Sequence, residues 1–103
     1  MPRQRKRRRC RGHAGDRVFK PRSIPMHALD EIHLDLSELE VLRLCDLEQC
    51  DQEQAGRRMG ISRGTVQRLL STGRAKVVEA LVQSRALIIE PGAEHEDLYP
   101  DRR

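Results

Sequence analysis

The 103-residue sequence has few aromatic residues and no long apolar run. It contains one Phe, one Tyr and no Trp, so aliphatic side chains must supply the packing of any core. No apolar run approaches the roughly 18 residues that a membrane-spanning helix needs. No apolar stretch follows the basic N-terminus, as one would in a secretory signal. We therefore expect no membrane partner, and a small helical domain without a large ligand pocket.

Cysteine is also scarce, and its spacing does not fit a disulfide framework. Cys10, Cys45 and Cys50 are odd in number, which favours a reducing, cytoplasmic location. Cys10 and His13 form a C-x-x-H pair, but structural zinc usually uses two closely spaced pairs. Cys45 falls on an apolar helix face, where a thiol acts as a small hydrophobic group. We predict no metal and no cofactor.

Catalytic motifs are absent as well. The sequence has no nucleophile elbow, no phosphate-binding loop and no zinc-protease motif. It is therefore not predicted to be an enzyme.

The positive charge is concentrated at the N-terminus. Residues 1–23 hold ten Lys or Arg residues against one acid, whereas the remaining residues hold ten against fifteen. This asymmetry favours a polyanionic partner, with nucleic acid first, although a solvated tail is the alternative. Residues 1–18 are predicted to be a basic disordered arm. Its main basic residues are Arg3, Arg5, Lys6, Arg7, Arg8, Arg9 and Arg11.

The segments that flank the central helices are predicted to be extended or loose. Residues 19–35 are interpreted as an extended strap anchored by Phe19 and Ile24, since prolines favour extended backbone at the residues before them. The segment ALIIE (86–90) is predicted to be a short strand or extended segment. Its exposed edge offers a pairing site for a homodimer. Residues 91–103 are predicted to be a flexible acidic tail.

Residues 36–90 are predicted to form a helix-turn-helix domain, beginning with two helices. Ser37 followed by Glu40 has the spacing of a capping box, and an apolar stripe continues to about residue 47. Asp51 followed by Gln54 predicts the start of a short second helix that ends near residue 59.

A sharp turn and a third helix follow. Gly60 can adopt the left-handed conformation that ends a helix, and Ser62 is a good N-cap for the next one. Apolar and small residues then recur at steps of three and four to about residue 84. Ala55 and Gly56 are small enough for close contact between the second and third helices. Two helices joined by a short glycine turn predict a helix-turn-helix, in an all-α fold of three helices.

The outer side of the third helix carries the residues predicted to contact DNA. Arg63, Gly64, Gln67 and Arg68 are the predicted base contacts, because Arg can bond guanine and Gln can bond adenine with two hydrogen bonds each. Recognition helices place such N-terminal residues on base edges in the major groove. The predicted backbone contacts are Gln52, Arg57, Arg58, Thr65, Ser71, Arg74 and Lys76.

The segments FKPRSIP, LSELEVLRLCDLE, QEQAGRRMGISRGTVQRLL, GRAKVVEAL and ALIIE resemble, in this order, the UPF0251 (DUF134) family of small prokaryotic proteins. The likeness covers about residues 10–92, and its helical part is similar to region 4 of sigma-70-type factors. The resemblance implies DNA binding through residues 52–70. The family favours alanine where Gly56 and Gly73 stand, which predicts a weaker or bent third helix near Gly73.

The sequence thus predicts sequence-specific binding of double-stranded DNA, in a transcriptional regulator. Two other hypotheses remain open at this point. One is an RNA- or ribosome-binding protein that uses the arginine-rich arm. The other is an interaction module whose helices dock on RNA polymerase.

Overall fold

The computed structural model describes residues 17–90, which form three α-helices and a three-stranded sheet. The strands are β1 (Arg17–Phe19), β2 (Glu31–Asp35) and β3 (Ala86–Glu90). The helices are α1 (Leu36–Leu42), α2 (Gln52–Met59) and α3 (Arg63–Val82). A 3-10 turn (Met26–Ala28) precedes β2, and a π-helical turn (Arg43–Leu47) extends α1. None of the helices within residues 17–90 combines the length and the apolarity needed to cross a membrane.

The prediction of an all-α fold is wrong, because a mixed sheet packs beside the helices. The strand order is β1-β3-β2, with β3 antiparallel to β1 and parallel to β2. β2 lies within the predicted strap, and its residues alternate between the two faces of the sheet. Ile32 and Leu34 are buried, whereas Glu31 and His33 are exposed, as expected for a strand with one face on a core. The protein therefore has an α/β fold.

The sheet also corrects three smaller predictions. Arg17 and Val18, which belong to the predicted disordered arm, lie in β1 together with Phe19. Phe19 is 56% exposed, so it is a poor anchor, whereas Ile24 is half-buried. β3 is paired on both sides, so its edge is not free to pair with a second copy.

The first helix begins two residues earlier than the predicted capping box. Asp35 is the N-cap, and its side chain accepts a hydrogen bond from the Ser37 N–H at 3.2 Å. Glu38 completes the box by accepting from the Asp35 N–H at 3.0 Å. Ser37 and Glu40, the predicted pair, are both buried instead. The π-helical turn then brings this helical segment to Leu47, close to its predicted end.

The second and third helices begin where the sequence predicted. Asp51 and Gln54 form a capping box, with the Gln54 N–H donating to Asp51 at 2.7 Å. Gly60 ends α2 at φ 74°, in the left-handed region. The Ser62 hydroxyl accepts from the Thr65 N–H at 3.1 Å and caps α3.

The third helix runs unbroken through Gly73 to Val82. A Cβ at Gly73 would lie 3.3 Å from both Glu38 Cβ and Leu42 Cδ1. The glycine thus allows close packing of α1 on α3, and α3 is not interrupted there.

Two apolar clusters fix the position of α3. The first joins the three helices, and its buried members are Val41, Leu44, Ala55, Met59, Val66, Leu69 and Leu70. The second lies between the sheet and the helices, and its buried members are Leu34, Leu36 and Ile89. Val77 of α3 packs against this second cluster. Helical contacts therefore hold the N-terminal half of α3, and the sheet holds its C-terminal half.

Candidate nucleic-acid interface

The turn between α2 and α3 is packed tightly around Gly56. A Cβ at this position would lie 2.7 Å from the carbonyl oxygen of Ile61 and 3.6 Å from Val66 Cγ2. The Ile61 N–H donates to the Gly56 carbonyl at 2.9 Å. The prediction that Gly56 permits a close approach is confirmed, and the contact it makes is with the turn as well as with α3.

The predicted base-contact residues share the outer side of α3. Arg63, Gly64, Gln67 and Arg68 are all exposed. A Cβ at Gly64 would meet only the Ser62 hydroxyl, at 4.0 Å, so the surface is open beside it. Within residues 17–90, the side chains of Arg63, Gln67 and Arg68 make no hydrogen bond or ion pair. Two guanidinium groups and one amide are therefore available to an external ligand.

Arg74, a predicted backbone contact, has an acidic partner in the protein. Its guanidinium donates two hydrogen bonds to Asp46, from Nε at 3.1 Å and from Nη2 at 2.7 Å. The hydrogen bond from Arg74 lowers the pKa of the Asp46 carboxyl, so the pair is ionised at neutral pH. Both side chains are about half exposed, at 53% and 44%. A phosphate that contacts Nε or Nη2 of Arg74 must therefore compete with Asp46.

Two more predicted backbone contacts are also paired. Lys76 donates to Glu38 at 2.8 Å and to the His33 carbonyl at 2.9 Å, which ties it to α1 and β2. It lies away from the side of α3 that carries Arg63. Arg58 donates to Glu48 and to Cys50 Sγ, each at 3.4 Å. The structure therefore gives these two cations partners within the protein.

The remaining predicted contacts differ in accessibility. Arg57 and Ser71 are exposed. The Thr65 hydroxyl lies 3.0 Å from the Ser62 hydroxyl, so it belongs to the helix start. Gln52 is half-buried, and its Oε1 is buried without a hydrogen-bond partner in the described part of the chain.

A cleft of about 550 Å³ separates the start of α2 from α3. It is lined by Cys45, Cys50, Asp51, Gln52, Glu53, Arg63, Leu70 and Arg74. Cys45 also packs against the first apolar cluster, and burial raises the pKa of its thiol. Cys45 is thus partly a core residue, as its position on the apolar stripe predicted.

Some of the predicted site residues lie outside the described part of the chain. The sequence analysis also missed two acidic residues that pair with predicted DNA contacts. The basic arm from Arg3 to Arg11, together with Cys10 and His13, lies outside residues 17–90. Asp46 and Glu38, the partners of Arg74 and Lys76, were not predicted. Their separations of 28 and 38 residues give no local sequence signal.

Comparison with known proteins gives consistent matches. Residues 1–97 match the family described as "Protein of unknown function DUF134". Curated proteins named "UPF0251 protein" are similar to the chain. The protein from Desulforudis audaxviator is 51% identical over 74 residues, which is 72% of this chain and 48% of the relative. The one from Moorella thermoacetica is 42% identical over 95 residues, which is 92% of this chain and 64% of the relative.

A shorter relative is covered almost completely. The UPF0251 protein VPA0321 of Vibrio parahaemolyticus is 42% identical over 88 residues, which is 85% of this chain and 92% of the relative. The chain therefore spans about half to two-thirds of the first two relatives and most of the third. No solved protein structure matches it.

Proposed function

The chain belongs to the DUF134 family, also named UPF0251, and we propose that it binds double-stranded DNA sequence-specifically through α2 and α3 as a transcriptional regulator. The observation that carries the proposal is the outer side of α3. Arg63, Gln67 and Arg68 are exposed there and have no hydrogen-bond or ion-pair partner among residues 17–90, beside the open surface at Gly64. Such side chains at the N-terminal end of a recognition helix can bond base edges in the major groove.

The distribution of unpaired charge supports the same surface. Arg58, Arg74 and Lys76 are engaged by acidic side chains of the protein. Arg63 and Arg68 have no such partner within residues 17–90. The two unpaired arginines therefore lie on the same side of α3 as the amide of Gln67. This arrangement suits a ligand that presents both phosphates and base edges.

Fewer residues are proposed to contact the DNA backbone than the sequence predicts. Arg63, Gly64, Gln67 and Arg68 are called the reading surface. Arg57 and Ser71 are exposed and supply phosphate contacts beside it. Asp51 and Glu53 place negative charge at the start of α2, which weakens a phosphate contact by Gln52. The basic arm adds phosphate contacts that are independent of sequence, and each neutralised phosphate steepens the salt dependence of log K by about 0.9.

The test begins with selection of bound duplexes from a random pool. Fluorescence anisotropy then compares Gln67→Ala with Gln83→Ala, an exposed glutamine at the other end of α3. We expect Gln67→Ala to reduce discrimination at one base pair by about 1–3 kcal/mol, whereas Gln83→Ala leaves it unchanged. Arg68→Lys keeps the charge but loses the two-bond contact, so specificity should fall more than the salt slope.

The controls separate DNA from RNA as the partner. Structured RNA competes against duplex DNA at matched salt, and removal of residues 1–11 should flatten the salt slope without changing base preference. Recovery of no preferred sequence, or equal effects of Gln67→Ala and Gln83→Ala, would overturn the proposal. Stronger binding of RNA than of duplex DNA would favour an RNA-binding function instead.

A further inference from the structure

Two thiols line the cleft at the start of α2. Cys45 lies in the π-helical turn, and Cys50 directly precedes Asp51, the N-cap of α2. Both cysteines are free and half-buried, and both pack against the first apolar cluster. The cleft that they share has a volume of about 550 Å³, whereas a water molecule occupies about 30 Å³. A small solute that enters the cleft therefore meets both residues.

The backbone between the two cysteines reverses and brings them together. Gln49 has φ 64°, in the left-handed region, and the Cys50 N–H donates to the Leu44 carbonyl at 2.8 Å. That carbonyl oxygen lies about 2.8 Å from the Cα of Cys45, and the N–Cα bond of Cys50 adds about 1.5 Å. The two Cα atoms are thus at most roughly 7 Å apart. Disulfides need a Cα separation of about 4.4–6.8 Å, so the turn holds the pair within or close to bonding range.

The two thiols have different surroundings. The Arg58 guanidinium donates to Cys50 Sγ at 3.4 Å. A neighbouring guanidinium stabilises a thiolate, which is the form of cysteine that attacks oxidants. Burial and then the neighbouring charge of Asp46 raise the pKa of the Cys45 thiol, which keeps it protonated. Cys50 is therefore the more reactive thiol, with a protonated thiol beside it.

We propose that Cys45 and Cys50 are a peroxide-responsive pair, which oxidation joins in a reversible disulfide. The Cys50 thiolate attacks hydrogen peroxide, so that an S–O bond forms, the O–O bond breaks and Cys50 becomes a sulfenic acid. The sulfur of Cys45 then attacks the sulfenic sulfur. The S–S bond forms, the S–O bond breaks, and the Cys45 proton leaves with the hydroxide as water. Overall, the two thiols lose two hydrogen atoms and the peroxide becomes two molecules of water.

The disulfide joins the end of the first helical segment to the start of α2. The Cys50 sulfur then carries no charge for Arg58, whose other printed contact is Glu48 at 3.4 Å. A dithiol reductant restores both thiols, as expected for a disulfide that responds to redox conditions and is not a permanent cross-link. This chemistry does not depend on DNA binding, because its products are detected on the protein itself.

The experiment uses the full chain with Cys10→Ser, so that Cys45 and Cys50 are its remaining thiols. Hydrogen peroxide in modest excess should remove both free thiols and lower the mass by that of two hydrogen atoms, and dithiothreitol should reverse both changes. Cleavage after Glu48 separates the two cysteines in the sequence, so mass spectrometry of the two joined peptides identifies the cross-link directly.

Variants test the order of the two steps, with circular dichroism to confirm that each is folded. In Cys45→Ala a sulfenic acid should accumulate at Cys50 and react with dimedone. In Cys50→Ala the remaining Cys45 should react with peroxide about tenfold more slowly. Arg58→Ala should slow the oxidation of Cys50 severalfold, whereas Arg57→Ala, at the exposed neighbouring arginine, should not. Limiting iodoacetamide on the Cys10→Ser protein gives the same order without these variants, since Cys50 should be alkylated first.

The outcomes separate the pair from a set of ordinary thiols. An intramolecular disulfide that forms through Cys50 first supports the proposal. Retention of both free thiols, or cross-links only between chains, overturns it. Equal reactivity of Cys45 and Cys50, or equal oxidation rates in Arg58→Ala and Arg57→Ala, overturns the assignment of Cys50 as the thiol that peroxide attacks.

Discussion

Replacement of Glu38 with alanine should cost a large share of the stability of this protein. Glu38 is 5% exposed and connects α1 to α3. Its Oε1 accepts from the Asp35 N–H at 3.0 Å and from the Lys76 ammonium at 2.8 Å, and its Oε2 accepts from the Thr72 hydroxyl at 2.6 Å. One carboxylate therefore caps α1 and satisfies two side chains of α3.

The expected loss of stability depends on the groups that lose a hydrogen-bond or ion-pair partner when Glu38 is replaced. Removal of one partner of a buried ion pair typically costs about 3–5 kcal/mol. The Lys76 side chain is 35% exposed, so water can hydrate its ammonium in the variant, which favours the lower end, about 3 kcal/mol. Glu38→Gln keeps the shape and an acceptor for Asp35 and Lys76, so we expect a loss of about 1 kcal/mol.

Urea unfolding followed by circular dichroism measures these losses. For a domain of this size, 3 kcal/mol corresponds to a decrease in Tm of about 12–24 °C. Glu53→Ala is the control, because Glu53 is an exposed acid, and its loss should be about 0.5 kcal/mol or less. If Glu38→Ala and Glu53→Ala unfold at the same urea concentration, Lys76 is not held by Glu38. The reasoning that Lys76 has a structural role, and is not a phosphate contact, would then be refuted.

Two further predictions concern the turn and the surface ion pair. Gly60→Ala should lower the free energy of unfolding by about 1–2 kcal/mol, because Gly60 has φ 74°. Gly64→Ala lies in open space on a helix, so it should be neutral or stabilise the fold by up to about 1 kcal/mol. Equal melting temperatures of the two variants would contradict this. The folded pKa of Asp46 is lowered by its hydrogen bond from Arg74, so the pair stabilises the fold above the unfolded pKa and loses this contribution as pH falls through the folded pKa. Asp46→Asn should cost about 0.5 kcal/mol at pH 7 and progressively less as the pH falls through the folded pKa of Asp46, and a pH-independent difference in urea midpoints would contradict it.

The turn and the starts of α2 and α3 could be predicted from the sequence because their signals are local. Asp51 and Gln54 cap α2 from three residues apart, Gly60 supplies the positive φ angle, and Ser62 caps the next helix. Each signal acts within one turn of helix, so no knowledge of distant contacts is needed.

The start of α1 shows where a local rule becomes ambiguous. Asp35 with Glu38 and Ser37 with Glu40 both have the spacing of a capping box. β2 continues directly into α1 and sets the start at Asp35, so Ser37 and Glu40 lie inside the helix and are buried. Burial does not distinguish the two pairs, because Glu38 and Glu40 are both buried. The hydrogen bonds do: Glu38 accepts from the Asp35 N–H, whereas Glu40 pairs with Arg43.

The sheet could be predicted only in part, because its strand pairs join distant segments. β1 has three residues, all exposed, and carries no periodic signal. β2 does alternate, but the two prolines before it favour an extended strap over a strand. Pairing of Leu34 with Ile89 joins residues 55 positions apart, so neither strand indicates its neighbour. The ion pairs that engage Arg74 and Lys76 were missed for the same reason.

The parallel pairing of β2 with β3 has a consequence for the position of α3. Parallel neighbours need a crossover connection, and here all three helices form it, with α3 leading directly into β3. The first half of α3 is fixed by the cluster around Val66, and Val77 in the second half packs against the sheet cluster. Neither half can tilt without breaking a buried cluster, since packed interiors resist small displacements. The side of α3 that carries Arg63, Gln67 and Arg68 is therefore held in a fixed position relative to α1 and the sheet, as the proposed base contacts require.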